Sequence, residues 1–342
     1  MNERARLKKL CRMVLVAGAC AALCAACGEM PVGPDVGSDG SDQSDGSDGS
    51  DPSDGSDEPG IRSGAVKGNV MLLVDRSGSM AEPADCGLAS CPSKWEQLLS
   101  LGVYLAEAKE LVCIGLAVFP TPDYNGCEVS GNILVPISCE DDVDERIMDA
   151  IAKVRPGGMT PVAGAMDEVR LHGGLDDPDL NHTVIILTDG KPNCACANSD
   201  VVCERDEAVA AVSRLENSNP PVDIDVIGFG ASARDADETL DAMAQAAGDD
   251  HYYQSDTIED LIATMYQIGV EKAPCTYYLD GTPEPDRLIA WIDDVQVPPC
   301  QEDPCQAGYT YDTSEGTVEF HGDTCAGLRD GERHHVWFDE LP

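Results

Sequence analysis

What this chain has least of is positive charge. Its 342 residues carry 22 Lys and Arg against 63 Asp and Glu, a formal net charge of −41. A surface of that sign repels a phosphate backbone, which excludes nucleic acid as a partner. Aromatic residues are scarce at 5%, yet a hydrophobic content of 42% still supports a core. Histidine is also sparse. The six, at 172, 182, 251, 321, 334 and 335, sit in no recognised catalytic spacing, and neither G-x-S-x-G nor H-E-x-x-H occurs. No enzyme is read from this sequence.

Cysteine, by contrast, is abundant. Sixteen cysteines are too many for a reducing cytosol and point to an oxidising compartment. Arg4, Arg6, Lys8, Lys9 and Arg12 form a basic start, followed by the apolar run 13–26. That run is too short to span a bilayer and suits a signal peptide. Leu23-Cys24-Ala25-Ala26-Cys27-Gly28 resembles a bacterial lipoprotein signal, with Cys27 as the lipid-bearing residue. Cys20 and Cys24 are further candidates, and an ordinary secreted protein cut nearby is the alternative. A residue other than Asp after Cys27 resembles sorting to the outer membrane, if the envelope has two membranes. The expected location is therefore the bacterial cell envelope: lipid-anchored, extracytoplasmic and at the cell surface.

Residues 27–64 read as an acidic tether. From Gly37 to Asp57 the chain repeats Gly/Gln/Pro-Ser-Asp seven times. Nothing there offsets the entropy of ordering, and the aspartates repel one another. A calcium-binding repeat is disfavoured because its apolar position is missing.

The rest is organised around Asn69-Val70-Met71-Leu72-Leu73-Val74-Asp75-Arg76-Ser77-Gly78-Ser79-Met80. Five consecutive apolar residues, 70–74, predict a strand buried on both faces. It ends at an acid followed by two hydroxyls, so Asp75, Ser77 and Ser79 crowd one short loop. Ligands bind at that edge of open α/β sheets, and such oxygens suit a hard divalent cation. D-x-S-x-S after an apolar strand resembles the metal-ion-dependent adhesion site of the von Willebrand factor type A domain. That family adds a Thr and an Asp from two later loops. Here Thr160 lies in Gly157-Gly158-Met159-Thr160, and Asp189 follows the strand 183–187 as Thr188-Asp189-Gly190. The resemblance covers roughly residues 66–272.

The resemblance implies a Rossmann-like α/β fold, with a central, mostly parallel sheet of about six strands flanked by helices. It implies that Ser77 and Ser79 bind Mg2+, or Mn2+ or Ca2+, directly. Thr160 would bind directly or through water, and Asp75 and Asp189 directly or through bridging waters. A partner protein would then supply an acidic side chain to the open position. Adhesion or protein interaction is the expected function. The alternative is a structural or assembly factor of the envelope in which the metal only stabilises the fold.

The remaining pattern agrees with alternating strands and helices. Ser93 predicts an N-cap, with Trp95, Leu98, Leu99, Val103 and Leu105 at helical spacing to about Glu110. A strand is expected at 111–119, helices at 141–154 and from Pro161, another near 204–216, then a strand at 222–229. A helix at about 235–247, a short strand at 251–253 and a helix at about 257–270 complete the unit at 65–272. Gly228-Phe229-Gly230 mimics a dinucleotide fingerprint but lies too late in the fold and reads as a tight turn. From about 273 to 342, helical periodicity gives way to a small Cys-containing β module, with strands expected at 276–279, 288–292 and 317–320. Expected disulfides are Cys86–Cys91, Cys127–Cys139, Cys275–Cys325 and Cys300–Cys305, with Cys113 joined to Cys194, Cys196 or Cys203. A zinc cluster of those last three with His182 is the lesser reading.

Overall fold

The computed structural model describes residues 61, 63–83, 91–122, 126–272, 274–301, 304–330 and 334–341. The expected signal peptide, Cys27, most of the acidic tether and Cys86 lie outside them. The end of the tether is a correction. Residues expected to be unstructured form strand β1 (Ser63–Ala65), which pairs antiparallel with a strand more than 200 residues later.

The central sheet begins at β2 (Gly68–Asp75), where the apolar run alternates. Val70, Leu72 and Val74 face one helical layer, and Met71 and Leu73 face the other. Ser93 caps the next helix through a capping box with Glu96. The expected single helix is interrupted: α1 (Lys94–Gln97) passes through a 3-10 turn at Leu98–Leu101 into α2 (Gly102–Ala108). Leu98 and Leu101 are buried together because a 3-10 turn stacks residues three apart. Leu99 and Val103, which share the apolar helical spacing, are exposed.

β3 (Val112–Phe119) is followed by β4 (Ile133–Ser138), a strand not among those expected. Pro136 hides it, since proline is tolerated in sheets chiefly at edges, and β4 is the antiparallel edge. Next come α3 (Val143–Lys153), α4 (Val162–His172), β5 (His182–Thr188), α5 (Val201–Glu216) and β6 (Val222–Phe229). α6 (Asp237–Ala246), β7 (Tyr253–Ser255) and α7 (Ile258–Glu271) close the unit. The sheet order is β4-β3-β2-β5-β6-β7, parallel except at β4. α1, α2, α3 and α7 cover one face, while α4, α5 and α6 cover the other.

The chain ends in β8 (Thr276–Leu279), β9 (Leu288–Ile292), β10 (Val295–Val297), β11 (Ala307–Asp312), β12 (Thr317–His321), α8 (Gly322–Leu328) and β13 (Val336–Glu340). They build two sheets, β1-β8-β12-β11 and β10-β9-β13, around Leu288, Ala290, Tyr309, Phe320 and Phe338. Because β1 belongs to this module, the α/β unit is an insertion between the module's first two strands.

Disulfides join Cys275 to Cys325 and Cys300 to Cys305, two of the expected pairs. The expected Cys127–Cys139 pair is replaced by Cys113–Cys139 and Cys127–Cys194. The reason is β4, which lays Cys139 beside β3 and so beside Cys113. Cys91 is disulfide-bonded. Among the described residues no helix is long and apolar enough to cross a membrane.

Candidate metal centre

Three loops meet at the C-terminal ends of β2 and β5. Asp75 ends β2 fully buried, and its Oδ1 accepts from the Ser77 backbone N–H at 2.7 Å. That side-chain turn breaks the strand and starts a 3-10 turn at Gly78–Ala81, pinned from below by buried Met80. Ser77 and Ser79 hydroxyls lie 3.0 Å apart, and Ser79 Oγ donates to Asp189 Oδ1 at 2.7 Å. Thr188, the last residue of β5, donates its hydroxyl to Asp75 Oδ2 at 2.6 Å. The first and third loops are thereby stitched together through their acids.

The Thr160 loop is held just as firmly. Gly157 and Gly158 both take positive φ, 158° and 95°; at Gly158 this is the left-handed region that favours glycine. Gly157 N–H donates to Arg76 O at 2.6 Å, Arg76 returns a guanidinium bond to Gly157 O at 2.7 Å, and Gly78 N–H donates to Gly158 O at 3.1 Å. Asn193 Oδ1 accepts from Thr160 N–H at 2.7 Å, and Asn193 N–H donates to Thr160 O at 3.2 Å. Behind Asn193, Cys194 is bonded to Cys127, and the buried Glu204 carboxylate accepts from the N–H groups of Cys194, Ala195 and Cys196 at 2.9–3.0 Å. With Cys196 joined to Cys203, no thiol is left for the zinc reading.

Asp75, Ser77, Ser79 and Asp189 are therefore linked by hydrogen bonds, and Thr160 stands on an adjoining loop. The donors are two buried carboxylates and three hydroxyls, which fits a hard divalent cation. Among the described residues no three His, Cys, Asp or Glu cluster as metal ligands, and here too only two of the donors are acids. Burial pushes the Asp75 carboxyl up to about 7; the nearby Asp189 charge adds to the rise, while bonds from Thr188 and Ser77 oppose it. Two carboxylates this close and this buried call for positive charge.

Part of that charge comes from a residue sequence reading missed. Lys94, buried on α1, bonds Asp189 Oδ2 and places its ammonium 2.7 Å from Ser232 Oγ. Ser232 in turn donates to Asp189 O at 3.1 Å. Lys94 was hidden by its place beside an N-cap, where a lysine reads as solvated surface. Asn193 and Ser232 carry no spacing signal at all.

No protein-family profile matches the chain. It is 23% identical to the uncharacterised protein YwmC of Bacillus subtilis over 191 residues, 54% of this chain and 75% of YwmC. Among solved structures, the open form of the pilus adhesin SpaC from Lactobacillus rhamnosus GG aligns with a TM-score of 0.50 at 13% identity, over 82% of this chain and 41% of that one. The vWF domain of the pilus tip protein Mfa5 from Porphyromonas gingivalis aligns at 0.43 and 11%, over 60% and 94%. The fold is a mostly parallel six-stranded sheet with helices on both faces, the architecture that the resemblance to the von Willebrand factor type A domain implies.

In this type A-like fold a groove of about 810 Å³ opens beside the Thr160 loop, between β4 and α3. Among the described residues, Arg76, Arg146, Lys153 and Arg155 line it against one acid, Asp149, with Arg146 also paired to Glu140 and Asp142. So local a concentration of cations stands out in a chain with 63 acids and 22 bases.

Proposed function

We propose that the type A-like unit is a metal-dependent adhesion or protein-interaction module, not an enzyme. Asp75, Ser77, Ser79, Thr160 and Asp189 would hold Mg2+, or Mn2+ or Ca2+, and the ion would supply an electrophilic position for a partner's carboxylate. The observation that carries this reading is the pairing of two buried acids with three hydroxyls at the sheet's C-terminal edge. The shared architecture with a pilus adhesin shows the fold alone, so the role rests on the site.

The groove with Arg146, Lys153 and Arg155 would take acidic residues flanking that carboxylate. Lipidation at Cys27 and the acidic tether would hold the module at the bacterial surface, extracytoplasmic and clear of the membrane. Under the second reading, an envelope assembly factor, the ion serves stability only. It is favoured by how firmly Cys127–Cys194 and Asn193 hold the Thr160 loop.

Calorimetric titration of Mg2+ into the oxidised protein, beside Asp189→Ala, tests the site. Saturable heats in the parent and none in the variant are expected; equal heats would mean that ions merely screen an acidic surface. Partner capture surviving in folded Asp189→Ala would favour the assembly role. Arg155→Glu is expected to weaken capture of an acidic partner without changing metal heats.

A further inference from the structure

We propose that Lys94 is a built-in counter-ion of the metal site, which keeps the divalent cation weakly held until a carboxylate ligand arrives with it. The inference rests on the metal reading above and concerns what makes metal and partner arrive together.

The lysine is placed deliberately. Its side chain is 3% exposed, and a buried ammonium persists only when paired and hydrogen-bonded. Both conditions are met, by Asp189 Oδ2 and by Ser232 Oγ. The stem needs room, which Gly230 supplies: a Cβ there would stand 3.1 Å from Lys94 Cδ. At its other end, Lys94 N–H donates to Glu82 O at 3.0 Å and the Ser93 cap fixes the start of α1. The residue is thus held at its backbone from the segment after the serine loop and at its ammonium from the loop after β5 and the turn after β6.

Charge balance then decides the behaviour. Asp75 and Asp189 bring two negative charges when ionised, and Lys94 brings one positive. Adding a divalent cation alone would leave a buried centre with one excess positive charge. Adding the cation together with one carboxylate leaves it neutral. Like charges in a buried site oppose one another strongly, so the neutral pair of ligands is favoured over the cation alone. A site with the same two acids and no lysine would be neutral with the metal by itself, so its metal affinity would depend less on the incoming acid. Lys94 therefore strengthens the cooperativity between ion and acidic partner by weakening the hold on the ion alone.

The test uses Mn2+ as the metal and acetate as the carboxylate, with free Mn2+ read by electron paramagnetic resonance. Asp189→Ala supplies the background of ions held by the acidic surface. In the parent, acetate should raise Mn2+ affinity severalfold. Lys94→Gln keeps a hydrogen-bonding group beside Asp189 and Ser232 but removes the charge, and Lys94→Met removes both. Each should bind Mn2+ at least about tenfold more tightly than the parent without acetate, with a clearly smaller acetate effect. Thermal unfolding with and without Mn2+ checks that the variants are folded, and Lys94→Gln stands if Lys94→Met is not. Unchanged or weaker Mn2+ affinity in the folded variants, or an acetate effect of parental size, would overturn the proposal while leaving the metal reading intact. No saturable Mn2+ binding above the Asp189→Ala background in parent or variants would overturn both.

Discussion

Gly115, in the middle of β3, sits where a methyl group has no room. A Cβ there would lie 2.8 Å from Ile137 Cγ1, 2.9 Å from the Ile137 backbone nitrogen and 2.9 Å from Met71 Cε. Two of those neighbours are side chains, but the nitrogen belongs to the edge strand and yields only if β4 shifts. Gly115→Ala should therefore destabilise the protein by about 1–3 kcal/mol, read as a lowered Tm at neutral pH. A Tm equal to the parent's would mean that β4 moves freely at this point. The residues of the proposed metal site behave differently at this scale. That Asp75, Ser77 and Ser79 crowd one loop at the end of β2 was legible because a burst of oxygens ends an apolar strand. Lys94 was not legible, because burial of a lysine is decided by Asp189, a residue 95 positions away.

Among the elements, the loop 194–196 is governed by one carboxylate. Glu204, on the first turn of α5, accepts three backbone N–H bonds from it and is almost fully buried. Glu204→Ala strands those donors and should cost about 2–3 kcal/mol. Because the same loop carries Asn193 against Thr160, Mg2+ heats should weaken as well; undiminished heats would separate the loop from the site. Most helices and parallel strands of the type A-like unit were legible since hydrophobic period and length agreed, but β7 lies at Tyr253–Ser255, two residues beyond the expected 251–253. Three features were not. The edge strand β4 carries a proline, the 3-10 turn at Leu98–Leu101 keeps apolar residues at a spacing shared with α-helix, and β1 is only three residues long. Disulfide pairing failed where it depended on those missed strands. Cys113–Cys139 follows from β3 and β4 lying side by side, which no count of residues between cysteines discloses.

The whole molecule joins two architectures, and a histidine fastens the smaller one. His334 Nδ1 lies 2.5 Å from Asp293 Oδ2 and Nε2 lies 2.9 Å from Asp330 Oδ1, linking the β9–β10 turn, the segment after α8 and the approach to β13. Burial alone would lower its pKa, but the hydrogen bonds to Asp330 and Asp293 outweigh that and raise it above the ordinary 6.5. With the folded value raised, this contribution to stability is complete below about pH 6.5 and is lost as pH climbs through the folded value. The Tm difference between the parent and His334→Gln should therefore shrink from pH 6 to pH 9; a constant difference would show that the charge is irrelevant. The insertion of one architecture into the other has a mechanical meaning. If the chain is held from its N-terminal side while a ligand at Asp75 is pulled away, the load enters through β1 and passes within a few residues into β2. That strand runs straight from the point of entry to the site, with parallel ladders to β3 and β5 along its length. Tension along it must shear both ladders together rather than unzip them one bond at a time.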